Sequence, residues 1–203
     1  MSTSARSYHH GDLRAALLDA AIESLEAGEA FSMRAVARLA GVSPAAPYRH
    51  FADREALDAA VAVEGFKDLR ADLRAALPAD LATASAEDVV AALGVAYVAF
   101  ALRRPAVFRM MFGNECDEED SERSRASAQL HDVLNEAIEQ IFPDADVPSL
   151  SSALWSMAHG LAFLHLDGKL RPESAEVVAA RVRSSVAAVF AMSAATAPRR
   201  ARS

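Results

Sequence analysis

Tyr48, Arg49 and His50 stand side by side near the end of "GVSPAAPYRHFADREAL", residues 41–57. A phenol, a guanidinium and an imidazole in a row make no catalytic group by themselves, but each suits nucleic acid. Tyr48 can donate to a phosphate or lie against a sugar, Arg49 can pair with phosphate or guanine, and His50 can reach a further phosphate. Arg34 and Arg38 precede them, and no acidic residue occurs between Ala30 and Ala52. The whole chain carries a formal net charge of −7, with a nearly continuous acidic run at Cys116 to Glu122. This segregation fits a reader of nucleic acid joined to a second, non-binding domain, although four such charges also suit a solvated surface.

Other chemistries find less support. His9, His10, His50, His131, His159 and His165 form no ligand spacing with cysteine or carboxylates, so neither a metal nor another cofactor is expected; His9 and His10 read as a surface pair near DNA. Cys116 cannot form an internal disulfide, and Glu115 and Asp117 oppose its thiolate. "LHLDGKL" offers His165, Asp167 and Lys169 but no serine or cysteine in a strand-turn-helix setting, and it reads as a helix end. No phosphate-cradling glycine loop occurs, and the protein is not expected to be an enzyme. "MSTSARSYHHGD" lacks the apolar core of a secretory signal, and the most apolar run, Val89 to Leu102, falls short of the roughly 20 residues of a membrane span, so a cytoplasmic location off the membrane is expected.

The elements that must position these residues are helical. Abundant alanine, with only 6% aromatic residues and eight each of Gly and Pro, favours closely packed helices, an all-α fold. Leu13, Leu17 and Ala20, flanked by Leu18, Ala21, Ile22 and Leu25, repeat at helical spacing and predict a first helix from about Gly11 to Ala27, stopped by Gly28. Ser32 is placed to cap a short second helix ending at Ala40, with Phe31 and Val36 as its hydrophobic staple. Gly41 supplies a sharp turn, Ser43 a cap, and Pro44 the first position of a third helix. Asp53 caps a fourth helix reaching about Leu77 before Pro78. Two short helices around a tight glycine turn make a helix-turn-helix, whose second helix enters the major groove. Ser32 with the amides after it, and the amides at Arg54, are ready phosphate sites. Phe51 reads as core; Tyr48 reads as either core or DNA contact.

These residues resemble the TetR family of transcriptional regulators. The family's small polar cap is Ser32; its Ala-x-x-Ala-Gly-Val-Ser turn is Ala37 to Ser43; its Tyr-x-x-Phe is Tyr48 and Phe51; its basic residue before an acidic one is Arg54 with Glu55. The match covers about residues 9 to 57 and implies DNA contacts from Ser32, Arg34, Ser43, Ala45, Ala46, Tyr48, Arg49, His50 and Arg54. Pro47 departs from the pattern: it removes the amide that would meet the Ser43 carbonyl and predicts a tight or partly 3₁₀ third helix. With Ala45 and Ala46 beside it, base readout should lean on thymine methyls and DNA shape.

Further helices are predicted near Glu87 to Leu102, Arg104 to Phe112, Glu118 to Phe142, Ser149 to Leu166 and Glu173 to Met192, giving a helical effector-binding and dimerisation domain over 58–195 after a DNA-binding domain over 1–57, with a frayed tail at 196–203. Trp155, His159 and Gly160 resemble the Trp-x-x-x-His-Gly motif of one type of TetR-family C-terminal domain. His159 is either a core histidine bonded to a nearby carbonyl or a donor to an effector. Trp155, His159 and Phe163 share a helix face; with Tyr97, Phe100, Phe108, Met111 and Phe112, which also suit ordinary core, they are the candidate lining for a small hydrophobic or aromatic effector. Small and apolar residues on the last two helices predict a homodimer there. The expected whole is a repressor released by effector from palindromic double-stranded DNA. A constitutive architectural DNA-binding protein and an orphan helical-bundle enzyme are the alternatives.

Overall fold

The helix signals are realised as eight α-helices, with no strand among the described residues. The structure is a computed structural model describing residues 10–29, 31–113, 121–171 and 173–196. Helix α1 spans His10–Glu26, α2 Met33–Leu39, α3 Arg54–Ala76, α4 Ala86–Arg103, α5 Pro105–Gly113, α6 Glu122–Ile141, α7 Val147–Leu166 and α8 Ala175–Thr196. His9, Cys116 and the tail beyond Thr196 lie outside the described residues.

One element departs from expectation. Residues 44–46 form a turn, and only Pro47–Arg49 is helical, as a single 3₁₀ turn. The physical reason is Pro47. Pro47 has no N–H for the Ser43 carbonyl, which accepts instead from Ala46 N at 2.9 Å, and Arg49 N then closes onto Ala46 O at 3.1 Å. Both are the shorter i→i−3 bonds of a 3₁₀ turn.

By packing, the chain divides into two units, Met1–Phe66 with Arg104–Ala126 and Lys67–Arg103 with Ser127–Ser203. This line differs from a single break after residue 57, because α5 and the start of α6 pack with the N-terminal helices. In the first unit Leu17, Ala21, Val36, Phe51, Leu57, Val61, Val107 and Phe108 are buried core residues. Helix α5 is fastened at both ends. Glu26, at the end of α1, accepts hydrogen bonds from Ala106 N at 3.3 Å and Val107 N at 3.0 Å, while Arg123 donates to Met111 O at 3.1 Å. A carboxylate at the helix start and a guanidinium at its end both complement the helix dipole.

Gly65 lets α5 approach α3. A Cβ there would lie 2.6 Å from Met111 Sδ and 2.7 Å from Val107 Cγ1. Met111 can swing aside, but the β-branched Val107 is stiff. Gly65→Val is therefore expected to cost about 1–3 kcal/mol by overpacking, despite the helix propensity it gains. Denaturant unfolding measures this; an unchanged midpoint would show that α5 does not sit tightly on α3.

In the second unit α4 is the central helix, packed against α7 and α8. It carries no charge between Asp88 and Arg103, as befits a helix buried on nearly all sides. Val90 and Ala91 of α4 meet Ile138 of α6, Leu154 of α7 and Val186 of α8. Buried Ser151 of α7 donates to Asn135 of α6. Near the turn between α7 and α8, Arg181 donates to Glu173 at 2.6 Å and to His165 Nε2 at 3.3 Å. Burial, then the Arg181 charge, holds the His165 pKa below its usual value.

Candidate functional site

The first-unit site is built by local hydrogen bonding. Ser32 Oγ accepts from Ala35 N at 3.2 Å to start α2. At its end Gly41, with φ 69°, donates to Arg38 O, and Val42 N reaches back to Ala37 O at 2.9 Å. This pair of bonds ends the helix and reverses the chain, and the left-handed residue between them favours glycine. Asp53 Oδ1 accepts from Ala56 N at 2.8 Å to start α3. Staple residues Phe31 and Val36 are both buried.

Between these caps the chain presents Ser43, Ala45, Tyr48 and Arg49 to solvent, with His50 half-buried and Arg34 exposed on α2. Tyr48 is 55% exposed, which favours the surface reading over the core one, whereas Phe51 is 3% exposed under the Arg14 guanidinium. Ala46 was expected on the same outward face but is buried, whereas Ala45 is exposed. Arg54 stacks over Phe31 at 5.0 Å and pairs with Asp58 at 3.6 Å, holding its charge at the start of α3. Burial raises the Asp58 carboxyl pKa despite that partner.

A second site lies in the second unit. Leu73, Leu93, Gly94, Leu130, Leu134 and Leu154 surround an apolar cavity of about 50 Å³, with Tyr97, His131 and Trp155 also on its wall. Trp155 Nε1–H donates to Tyr97 Oη at 3.1 Å, and Tyr97 Oη lies 2.8 Å from His159 Nδ1. An indole N–H only donates, so the assignment that uses each proton once has Tyr97 donating to a neutral His159. Burial lowers the His159 pKa and raises that of Tyr97, keeping both uncharged. His159 also packs against Trp155 and Phe163, at 5.3 Å and 4.8 Å between ring centroids. The partner of His159 here is a phenol, where the core reading named a carbonyl.

The remaining candidates from α4 and α5 are not on the wall of this cavity. Phe100 is fully buried on α4, with Arg103 over its ring at 5.4 Å. Phe108, Met111 and Phe112 belong to the first unit, where Phe112 meets Phe66 edge-on at 5.4 Å and Phe108 at 5.0 Å. Among the described residues no cluster of three or more His, Cys, Asp or Glu side chains is placed to hold a metal, and no single helix is long and apolar enough to cross a membrane.

Residues 17–61 match the family model described as bacterial regulatory proteins, tetR family, and residues 90–189 match that described as the tetracyclin repressor-like C-terminal domain. A solved structure of a protein of unknown function from Rhodococcus sp. RHA1 is 32% identical, covering 90% of this chain and 97% of its own with a TM-score of 0.73. The chain belongs to the TetR family of transcriptional regulators. Two further structures share the TetR fold. A regulatory protein in the TetR family from Rhodococcus RHA1 is 21% identical over 86% of this chain and 94% of its own, with a TM-score of 0.61. PfmR, a TetR family transcriptional regulator from Thermus thermophilus, is 22% identical over 84% of this chain and 96% of its own, with a TM-score of 0.60. No curated protein matches the chain.

In this TetR-family regulator α2, the Gly41 turn and Pro47–Arg49 are the helix-turn-helix, and α4 to α8 supply the C-terminal domain's helices. Two features escaped the sequence reading. Leu39, 42% exposed at the end of α2, lies within the helix-turn-helix, and its exposure on a short amphipathic helix carries no distinctive pattern. His131 lines the cavity from α6, where it stands beside Leu130 and close to Leu134. A polar side chain bordering the apolar stripe of an amphipathic helix was the available signal.

Proposed function

We propose that this regulator is a homodimeric repressor whose grip on a palindromic operator is released by a small, mostly apolar effector bound in the cavity of the second unit. The observation that carries the reading is that cavity: mostly apolar walls with no Asp, Glu, Lys or Arg, a hydrogen-bonded chain through Trp155, Tyr97 and His159, and a volume of about 50 Å³. Ligand sites begin near 300 Å³, and a protein cavity of about 150 Å³ takes benzene, so an effector has to select a wider conformer. Such selection is what release requires, because a ligand shifts an equilibrium only by its differential affinity for the two states. Helix α3 belongs to both units and carries the shift from Leu73 at the cavity toward Arg54, with α5 assisting.

Exposure supports assembly through the last two helices. Leu164 on α7 and Val177, Val189 and Met192 on α8 are all more than 40% exposed. Small residues, Ala153 and Gly160 on α7 and Ala188 on α8, share that exposure and allow close approach of a second copy.

The test uses Trp155, the chain's only tryptophan. An operator is selected from random duplexes, and compounds that release it are titrated against Trp155 emission. An effector should change emission and lower operator affinity over one concentration range, and operator DNA should weaken effector binding by the same factor. Release with unchanged Trp155 emission would move the effector site elsewhere.

A further inference from the structure

Trp155 Nε1, Tyr97 Oη and His159 Nδ1 are bonded to one another, but His131 does not join them. His131 Nδ1 lies 2.9 Å from the Ser127 carbonyl oxygen. A carbonyl only accepts, so Nδ1 carries a proton, and in the neutral ring Nε2 is an acceptor. Among the described residues no donor meets Nε2. The ring stands edge-on to Trp155, with centroids 5.0 Å apart, on the wall of the cavity. Every other residue on that wall is apolar or belongs to the Trp155–Tyr97 bond, and none is charged.

From this pairing of one unspent acceptor with an uncharged apolar wall, and resting on the cavity being the effector site, we infer that the effector is a neutral aromatic molecule bearing a hydroxyl donor, a phenol, which His131 Nε2 accepts. The ring fills the apolar space beside Trp155, and the hydroxyl satisfies an acceptor that ligand entry would otherwise cut off from water. A carboxylate fits less well: it brings a full charge among leucines with no cationic Lys or Arg on the wall to meet it, and its desolvation is not offset. An ammonium ligand meets no countercharge.

The experiment compares phenol, anisole, toluene and benzoate on the full-length protein, reading Trp155 emission and operator release, with His131→Phe as the variant. Phenylalanine keeps the ring against Trp155 and removes the acceptor. Phenol should bind about tenfold more tightly than anisole or toluene, the size of one buried hydrogen bond, and benzoate should bind most weakly. In His131→Phe phenol should fall to the level of anisole while toluene is held or gains. The parent series stands even if the variant fails to fold. Equal binding of phenol and anisole by the parent, a phenol preference that survives in the variant, or benzoate as the tightest ligand would each overturn the assignment while leaving the cavity as the effector site. If none of the four alters Trp155 emission, and another compound releases the operator with that emission unchanged, both the assignment and the cavity's role fail.

Discussion

Arginine in place of Val186 is expected to unfold the second unit. Val186 is fully buried and sits among Val90, Ala91, Ile138 and Leu154, helix faces drawn from three other elements. A guanidinium there has no carboxylate partner in the cluster and displaces apolar contacts as well. An uncompensated buried charge costs about 3–5 kcal/mol, a large part of the 5–15 kcal/mol that holds an ordinary domain together. Thermal unfolding should show a fall of ten degrees or more, or no cooperative transition at all. Val189, one turn further along α8, is 47% exposed, and the same substitution there should leave the melting of a monomer almost unchanged. Under the proposed assembly, however, Val189→Arg places two like charges in the α7–α8 interface of the dimer. Sedimentation should then find monomers, with operator affinity falling because two linked reading heads become two separate ones. A Val189→Arg protein that stays dimeric would place the interface on another face; a stable, well-folded Val186→Arg would contradict the packing of α8 itself.

Alanine at Tyr48 and at Arg49 should each weaken operator binding about tenfold, and the two together about a hundredfold, with no loss of stability. Both side chains point to solvent, so little packing goes with them. The salt dependence separates their roles. If Arg49 neutralises a phosphate, its removal lowers the slope of log affinity against log salt by about one; removal of the uncharged Tyr48 leaves that slope alone. Phe51→Ala is the contrasting control. At 3% exposure, beneath Arg14, its loss should cost about 3–5 kcal/mol and abolish binding through unfolding. If the Tyr48 and Arg49 variants hold the operator as the parent does across the salt range, the Pro47–Arg49 turn is not the reading element.

Ser32, Gly41, Asp53 and Pro47 could be interpreted from the sequence because each acts within about five residues of itself. A cap, a left-handed turn and a missing amide are settled by local hydrogen bonds, and the structure shows the expected bonds at Ala35, Val42 and Ala56. The shortness of the Pro47 helix follows from the same local chemistry. Trp155, Tyr97 and His159 were legible as types suited to a pocket, but the order of their hydrogen bonds was not, since Tyr97 and Trp155 are 58 residues apart. Side-chain direction and helix pairing were the missing knowledge. Whether Ala46 looks inward, whether Val186 or Val189 lies in the core, whether α5 fastens to Glu26, and whether His131 borders a cavity all depend on which face of a helix meets which distant neighbour. Periodicity marks the apolar face of a helix but does not name what covers it, because the covering surface comes from remote parts of the chain and is chosen by the packing of all the helices together.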